Sequence, residues 1–351
     1  MKILYICNFN LNNSEGRDRA TRQKLAALKK HVTKLDIIHS SFNSKFKLLE
    51  LILIELKGIF FILKNKPDLL ISRGYVGYFT QKIANYRKIK TIREIHADLQ
   101  GELQQLKKTN IEKLLLIPFV YLNNKIDKNA DIRIFNHPKL MDWYKNKIFN
   151  CKNDFYVYNG FSEDAKSSLS KVNARNKFLL KNEYRYFVFV GAASYWHGVD
   201  YLVSLQLELN KINSNIKIIC GGGEIPRELD PKQLLINIYP LNEYECANLI
   251  SASDACLLPV RDSRISPGSP LKLYDYILHN KFIITQQSVL GYSDEVQKYK
   301  FGIEIDFMNP KETAKKLSNL DITEAKYDFI NNFSWEERMK KWLNNIENIR
   351  I

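Results

Sequence analysis

The sequence predicts an α/β protein built from two doubly wound, Rossmann-like domains. Three observations carry that prediction. The chain has 351 residues, enough for roughly two domains of ordinary size. Its composition is globular, with 45% hydrophobic and 26% charged residues. Short apolar, β-branched runs alternate with helical stretches along its whole length, the pattern of parallel sheets covered by helices on both faces.

The elements follow in order. In the first half, the runs 2–8 (KILYICN), 33–39 (TKLDIIH), 68–73 (DLLISR), 89–95 (IKTIREI), 131–136 (DIRIFN) and 154–158 (DFYVY) read as strands. The second half supplies 185–191 (RYFVFVG), 216–221 (IKIICG), 235–239 (LINIY), 254–259 (DACLLP), 281–285 (KFIIT) and 302–306 (GIEID). Two such sets imply two domains with the boundary in the polar stretch 160–180, assigned here as 1–165 and 166–330. Residues 331–351 remain for a terminal amphipathic helix. It opens on a capping box, Ser334 and Glu337, and carries Trp335 and Trp342.

One helix stands apart. Residues 44–66, SKFKLLELILIELKGIFFILKNK, hold too many charges for a membrane span. Glu50, Lys57 and Lys64 recur every seven residues as a narrow polar stripe, and Glu55 falls off it. Such a helix is either buried or lies on a lipid surface with basic flanks; burial is the expected answer.

Charge is unevenly placed. Residues 1–160 hold 29 Lys and Arg against 14 Asp and Glu, a balance of +15, whereas the remainder holds 24 of each. A basic half suits an anionic partner: nucleic acid, a membrane surface or an acidic substrate. Simple lysine drift is the bland alternative. Five cysteines without a C-x-x-C pair speak against a disulfide framework or a zinc knuckle and fit a reducing cytoplasm. The N-terminus reads as a strand, not as a signal peptide.

Parallel sheets bind ligands where their strands end, so candidate site residues are sought there. After the first strand, NFNLNNSEGRDRATR brings Gly16 to the start of a helix. It is not a G-x-G-x-x-G loop, which removes the main support for a nicotinamide or flavin dehydrogenase. After the fourth strand lies His96, a hydrogen-bond partner or general base near neutral pH. In the second half, VGAASYWHGVDYLV contributes Gly191 and His197, ICGGGE contributes Gly222 and Glu224, and LLPVRDSRISPGSPLKLYDY contributes Arg261, Arg264, Ser269, Lys272 and Asp275. Ser269 is placed to cap the helix of that last segment and Pro270 to open it. The helix start favours an anion, and Lys272 adds a full charge beside Asp275 on the same face.

These segments, in this order, resemble the retaining glycosyltransferases of family 4, which have the GT-B fold. YNGFSED (158–164), FVGAASYWHGVDYL, GGGE, ISASDACLLPV (250–260), PLKLYDYILHNKFIIT and FSWEERMKKW each resemble a segment of that family. The resemblance implies two Rossmann-like domains facing a cleft, with the terminal helix packing back toward the first. It also implies a nucleotide-sugar donor in the second domain and an acceptor in the first. Asp275 would accept from ribose hydroxyls and Lys272 would neutralise the leaving diphosphate. Gly16 would lie against the donor, and His96 would contact the transferred sugar. No metal or other cofactor is implied, because fixed positive groups and helix ends stabilise the departing phosphate. The anomeric configuration would be retained.

The chain also departs from the pattern. The family's two carboxylates, with seven residues between them, would fall at Pro267 and Asp275. The Arg and Lys that often hold the diphosphate would fall at Ala192 and His197. Phosphate binding therefore rests on Lys272, Arg261, Arg264, the glycine backbone and His197. The basic half suits a lipid-linked or polysaccharide acceptor at an anionic membrane surface, hence a cytoplasmic protein peripheral to the inner face of the membrane. Other readings are a sugar-nucleotide epimerase on the same scaffold and a non-catalytic, charge-driven anion binder. Nucleic-acid binding would need a recognised module or a basic–aromatic platform, and neither is present.

Overall fold

The computed structural model describes residues 1–13, 16–40, 47–98, 101, 110–147, 153–193, 195–261, 266–288, 290–322, 327 and 329–349. All the expected strands form, each within two residues of its expected ends. They are β1 (Lys2–Cys7), β2 (Lys34–Ile38), β3 (Leu69–Arg73), β4 (Lys90–Ile95), β5 (Ile132–Phe135) and β6 (Asp154–Tyr156), then β7 (Arg185–Gly191), β8 (Ile216–Gly222), β9 (Ile236–Ile238), β10 (Ala255–Leu258), β11 (Phe282–Gln286) and β12 (Gly302–Ile305). The helices are α1 (Gly16–Lys29), α2 (Lys47–Asn65), α3 (Tyr78–Tyr86), α4 (Asn110–Asn129), α5 (Pro138–Lys147), α6 (Lys171–Lys177), α7 (Val199–Lys211), α8 (Glu243–Ala252), α9 (Leu271–Leu278), α10 (Asp294–Tyr299), α11 (Pro310–Ser318) and α12 (Trp335–Asn348).

The strands build two six-stranded sheets, ordered β2-β1-β3-β4-β5-β6 and β12-β11-β10-β7-β8-β9. Every strand pair is parallel. The chain divides into two compact units. The first comprises Met1–Gly160, Ile265–Ser269 and Trp335–Ile351; the second comprises Phe161–Arg264 and Pro270–Ser334.

In the first unit, residues 3–7 of β1 and all of β3 are buried, as expected of strands covered on both faces by crossover helices. Leu4, Ile6, Ile54, Ile62 and Leu70 pack into one cluster, each buried aliphatic side chain contributing about 1.5–3 kcal/mol. Charge also runs through this interior. Arg93 pairs with Asp127 at 2.7 Å, Arg133 pairs with Asp154 at 2.7 Å, and Lys24 pairs with Glu94. Along the sheet Arg93 lies opposite Arg133, which lies opposite Asp154. Each of these three buried cations meets a buried carboxylate, whereas Arg73, also buried, donates to the Thr21 hydroxyl at 2.7 Å. The α12 helix belongs to this unit: Lys30 of α1 reaches Glu336 at 2.8 Å, and Trp335, Met339 and Trp342 are buried.

The expectation that the 44–66 helix is buried is overturned for half of its surface. In α2, Ile54 and Ile62 are buried, and Gly58 lets the helix approach Thr80 so closely that a Cβ there would lie 2.8 Å from its Oγ1. Glu55, off the charged stripe, accepts from the N–H groups of Gly77, Tyr78 and Thr80 at 2.6–2.9 Å. It therefore supplies from outside the anionic cap that the start of α3 lacks in its own sequence. The opposite face of α2 is apolar and exposed.

In the second unit, Phe187, Leu202, Leu205, Ile218, Leu257 and Ile284 form the core between β7, β8, β10, β11 and α7. The expected cap of α9 is corrected. Pro270 occupies the N-cap position and has no side-chain group with which to cap the helix. Ser269 is buried in the first unit instead, where its carbonyl accepts from Asn159 Nδ2 at 2.7 Å.

Candidate functional site

The second sheet reverses its strand order between β7 and β10, and ligands of such sheets bind outside the strand ends at that point. Glycines shape the place. Gly191 ends β7 at φ +134° and Gly222 ends β8 at φ +104°, conformations open to glycine and strained for other residues. A Cβ on Gly223 would lie 2.9 Å from the Ala192 Cα, so the two strand ends touch backbone to backbone.

Lys272, in the first turn of α9, sits above this junction. Its Nζ lies 4.2 Å from the centre of the Phe189 ring and 3.2 Å from the position that a Cβ on Gly191 would take. His197 stands edge-on to the same ring at 5.7 Å, and its Nδ1 is 2.7 Å from the Ala192 carbonyl. Tyr276 locks the arrangement: its hydroxyl accepts from the Val190 N–H at 3.2 Å and donates to the Leu257 carbonyl at 3.2 Å. One phenol thus ties α9 to the ends of both β7 and β10. Burial pushes its pKa well above the ordinary value, so it stays a neutral donor.

Asp275 follows one turn after Lys272, half-buried. Its carbonyl meets His279 Nδ1 at 2.7 Å, while His279 Nε2 accepts from the Ser167 N–H at 3.0 Å. Burial holds His279 below its ordinary pKa, and a neutral ring with its proton on Nδ1 satisfies both bonds.

Of the expected donor residues, Gly191, His197 and Lys272 are brought together around Phe189, with Gly222 beside Gly191 and Asp275 one turn after Lys272. Two are engaged elsewhere. Arg261 pairs with Asp200 at 2.5 Å and lies over the Tyr201 ring, so its charge is committed to the start of α7. Glu224 is exposed and accepts from the Tyr239 hydroxyl at 3.0 Å. Arg264 lies outside the described residues. Gly16, His96 and Ser269 belong to the first unit. Phe189 and Tyr276 were missed by sequence reasoning: an aromatic inside a strand and one on a helix face read as core, and only their contacts reveal a positioning role.

Gly16 opens α1, exposed, with open space where its side chain would be. His96 follows β4 at 3.8 Å from Glu94, beside a buried charged group. Glu94 accepts from Lys24 and, at 2.9 Å, from the Tyr5 hydroxyl. Burial would raise the Glu94 pKa, but the Lys24 ammonium, His96 and Arg73 outweigh it and hold the carboxyl well below its usual range. Burial lowers Lys24 to about 8 against the pull of Glu94. Burial and the Arg73 charge also hold His96 well below its ordinary range. The ring is therefore held neutral at neutral pH, able to accept a hydrogen bond on one nitrogen and donate from the other. A cleft of about 290 Å³, mouth included, opens beside it, lined also by Tyr158, Asn136 and Trp335. Among the described residues, Asn136 Oδ1 and Trp335 Nε1 are buried there with no hydrogen-bond partner.

No protein-family model and no curated protein sequence matches the chain. Solved structures do. Sucrose-phosphate synthase from Thermosynechococcus elongatus is 12% identical, with 99% of each chain covered and a TM-score of 0.76. WaaG, a glycosyltransferase involved in lipopolysaccharide biosynthesis, is 12% identical over 97% of this chain and 95% of its own, with a TM-score of 0.65. HepE from Anabaena, solved in complex with UDP and glucose, is 12% identical over 99% of this chain and 100% of its own, with a TM-score of 0.66. At such identities the likeness speaks for the fold: the two Rossmann-like sheets and their helices form the α/β two-domain architecture of GT-B glycosyltransferases.

Proposed function

We propose that the chain is a glycosyltransferase that moves a sugar from a nucleotide-sugar donor to a glycan or lipid-linked acceptor, with retention of configuration, in the assembly of a cell-surface polysaccharide. The observation that carries the donor half is the ammonium of Lys272 over Gly191, at the strand-order reversal of the second unit. In this reading the bare glycine backbone lets a diphosphate approach, and Lys272 meets its charge. The first turn of α9 adds N–H donors, and Asp275 accepts from the ribose. As the glycosidic bond to the diphosphate breaks, negative charge grows on the leaving oxygen. Lys272 is fixed to meet it without a metal. His96, neutral and partly open, hydrogen-bonds the transferred sugar. The likeness to WaaG, which is involved in lipopolysaccharide biosynthesis, and to HepE, which holds UDP and glucose, supports the choice of donor class and setting.

The test is incubation with a panel of UDP- and GDP-sugars, with and without candidate lipid-linked acceptors, following free nucleoside diphosphate and labelled product. Diphosphate release that needs the acceptor, and an unchanged anomeric configuration in the product, are expected. Conversion of the donor alone to a second sugar nucleotide would favour an epimerase. No binding of any donor by folded protein would overturn the proposal.

A further inference from the structure

The outer face of α2 needs an occupant. Leu49, Ile52, Leu53, Leu56, Phe60 and Leu63 follow helical spacing along one stripe, and each is 40–68% exposed. Around the helix axis this stripe lies opposite Ile54 and Ile62, which dock on the core. A surface helix ordinarily turns its polar side to water; here the water side is the apolar one. Local necessity does not explain it, because Glu55 and Gly58 on the inner side already secure the docking on α3.

The flanks identify the partner. Lys57 and Lys64 border the stripe, and Lys66, Lys82 and Lys88 are exposed on the following turns and on α3. Residues 47–90 carry nine Lys and Arg against three Asp and Glu. Protein interfaces are depleted of lysine, whose compact charge is strongly hydrated. Lysines beside a convex apolar helix suit instead a surface that presents anionic headgroups above acyl chains. Among the described residues no helix is long and apolar enough to cross a membrane, so α2 would lie in the surface rather than span it. We propose that the outer stripe of α2, from Leu49 to Leu63, is the element that inserts into an anionic bilayer, with Lys57 and Lys64 at the headgroup level. This rests on the lipid-linked acceptor in the proposed function and assigns that reading a surface.

The experiment is flotation of the full chain with vesicles of phosphatidylglycerol and phosphatidylethanolamine, and with phosphatidylcholine alone. Wild type, the double variant Leu56→Ser/Phe60→Ser, Lys57→Gln/Lys64→Gln, and the control Leu179→Ser in the second unit are compared. Wild type and the control should float with the anionic vesicles. The double serine variant should lose roughly ten-fold or more of its partitioning, and the glutamine variant should lose several-fold, mainly at low salt. Both altered residues are exposed, so the melting temperature should hold. Phe60→Trp should shift its emission to the blue on binding and be quenched by brominated acyl chains. Equal flotation of wild type and the serine variant would overturn the assignment to α2. So would concentration-dependent dimerisation, lost in that variant, with no vesicle binding by wild type: a second copy would then cover the face. Donor binding, measured separately, should be unchanged in every variant, so loss of the membrane seat and failure of the transferase reading are told apart.

Discussion

Replacing Lys272 by Met is the sharpest test of the donor site. Methionine keeps an unbranched stem against Phe189 and removes only the charge. The ammonium now lies 4.2 Å from the ring centre, a contact contributing about 0.5–1 kcal/mol at a partly exposed position. Loss of that contact should by itself lower fold stability by about 0.5–1 kcal/mol. A diphosphate held by a charge-assisted hydrogen bond loses more, about 1.5–3 kcal/mol. That corresponds to roughly ten-fold to 150-fold in Kd. Isothermal titration with the preferred nucleotide sugar reads the affinity, and a urea titration reads the fold. Salt adds a second signature: raising ionic strength should weaken wild-type binding more than that of the variant. Gly191→Ala attacks the same contact from below. Its Cβ would press on Nζ at 3.2 Å and force an alanine to φ +134°, a strain of about 1–3 kcal/mol, so both stability and affinity should fall. A Lys272→Met protein that binds the donor within about two-fold of wild type would refute the placement of the phosphate at this junction.

Other predictions concern the scaffold. Tyr276→Phe keeps the ring but strips the Val190 N–H and Leu257 carbonyl of their shared partner; a loss of about 1–3 kcal/mol in urea unfolding is expected, with weaker donor binding. Glu94→Gln leaves Lys24 buried without its counter-charge and should cost about 3 kcal/mol or more at neutral pH. The folded pKa of Glu94 is depressed, so its stabilisation is present above the ordinary glutamate value and is lost as pH falls through the folded one. Wild type should weaken below about pH 5 and the Gln variant should show a flatter acid limb, read by urea midpoints across that range. Glu55→Ala removes an external cap from α3 and should cost about 1–2 kcal/mol, with faster hydrogen exchange at the amides of Gly77, Tyr78 and Thr80 as its local mark.

How much of this was legible beforehand differs by element. All the strands were readable because a strand covered on both faces needs an unbroken apolar run, and such runs stand out between polar helix flanks. The glycine ends of β7 and β8 and Lys272 were readable for a similar reason. They follow strands in a chain whose topology places ligands there. The residues that hold the site were not. Tyr276 and Phe189 look like ordinary core residues until their partners are known, and Arg261 looks like a phosphate clamp until Asp200 is found beside it.

Sequence by itself determined the two-sheet α/β architecture, the basic bias of the first half and the strand ends where ligands would gather. Only the tertiary structure decided how the charges are spent. It buried Arg93, Arg133 and Lys24 against carboxylates far away in the chain, put Pro270 rather than Ser269 at the N-cap of α9, and held His96 as a neutral ring. It also turned the apolar side of α2 to the surface. The physical reason is the same throughout. Periodicity and apolar runs are local properties that a short window of sequence contains. Ion pairing, burial of a titrating group and the covering of a helix face depend on neighbours brought from elsewhere in the chain.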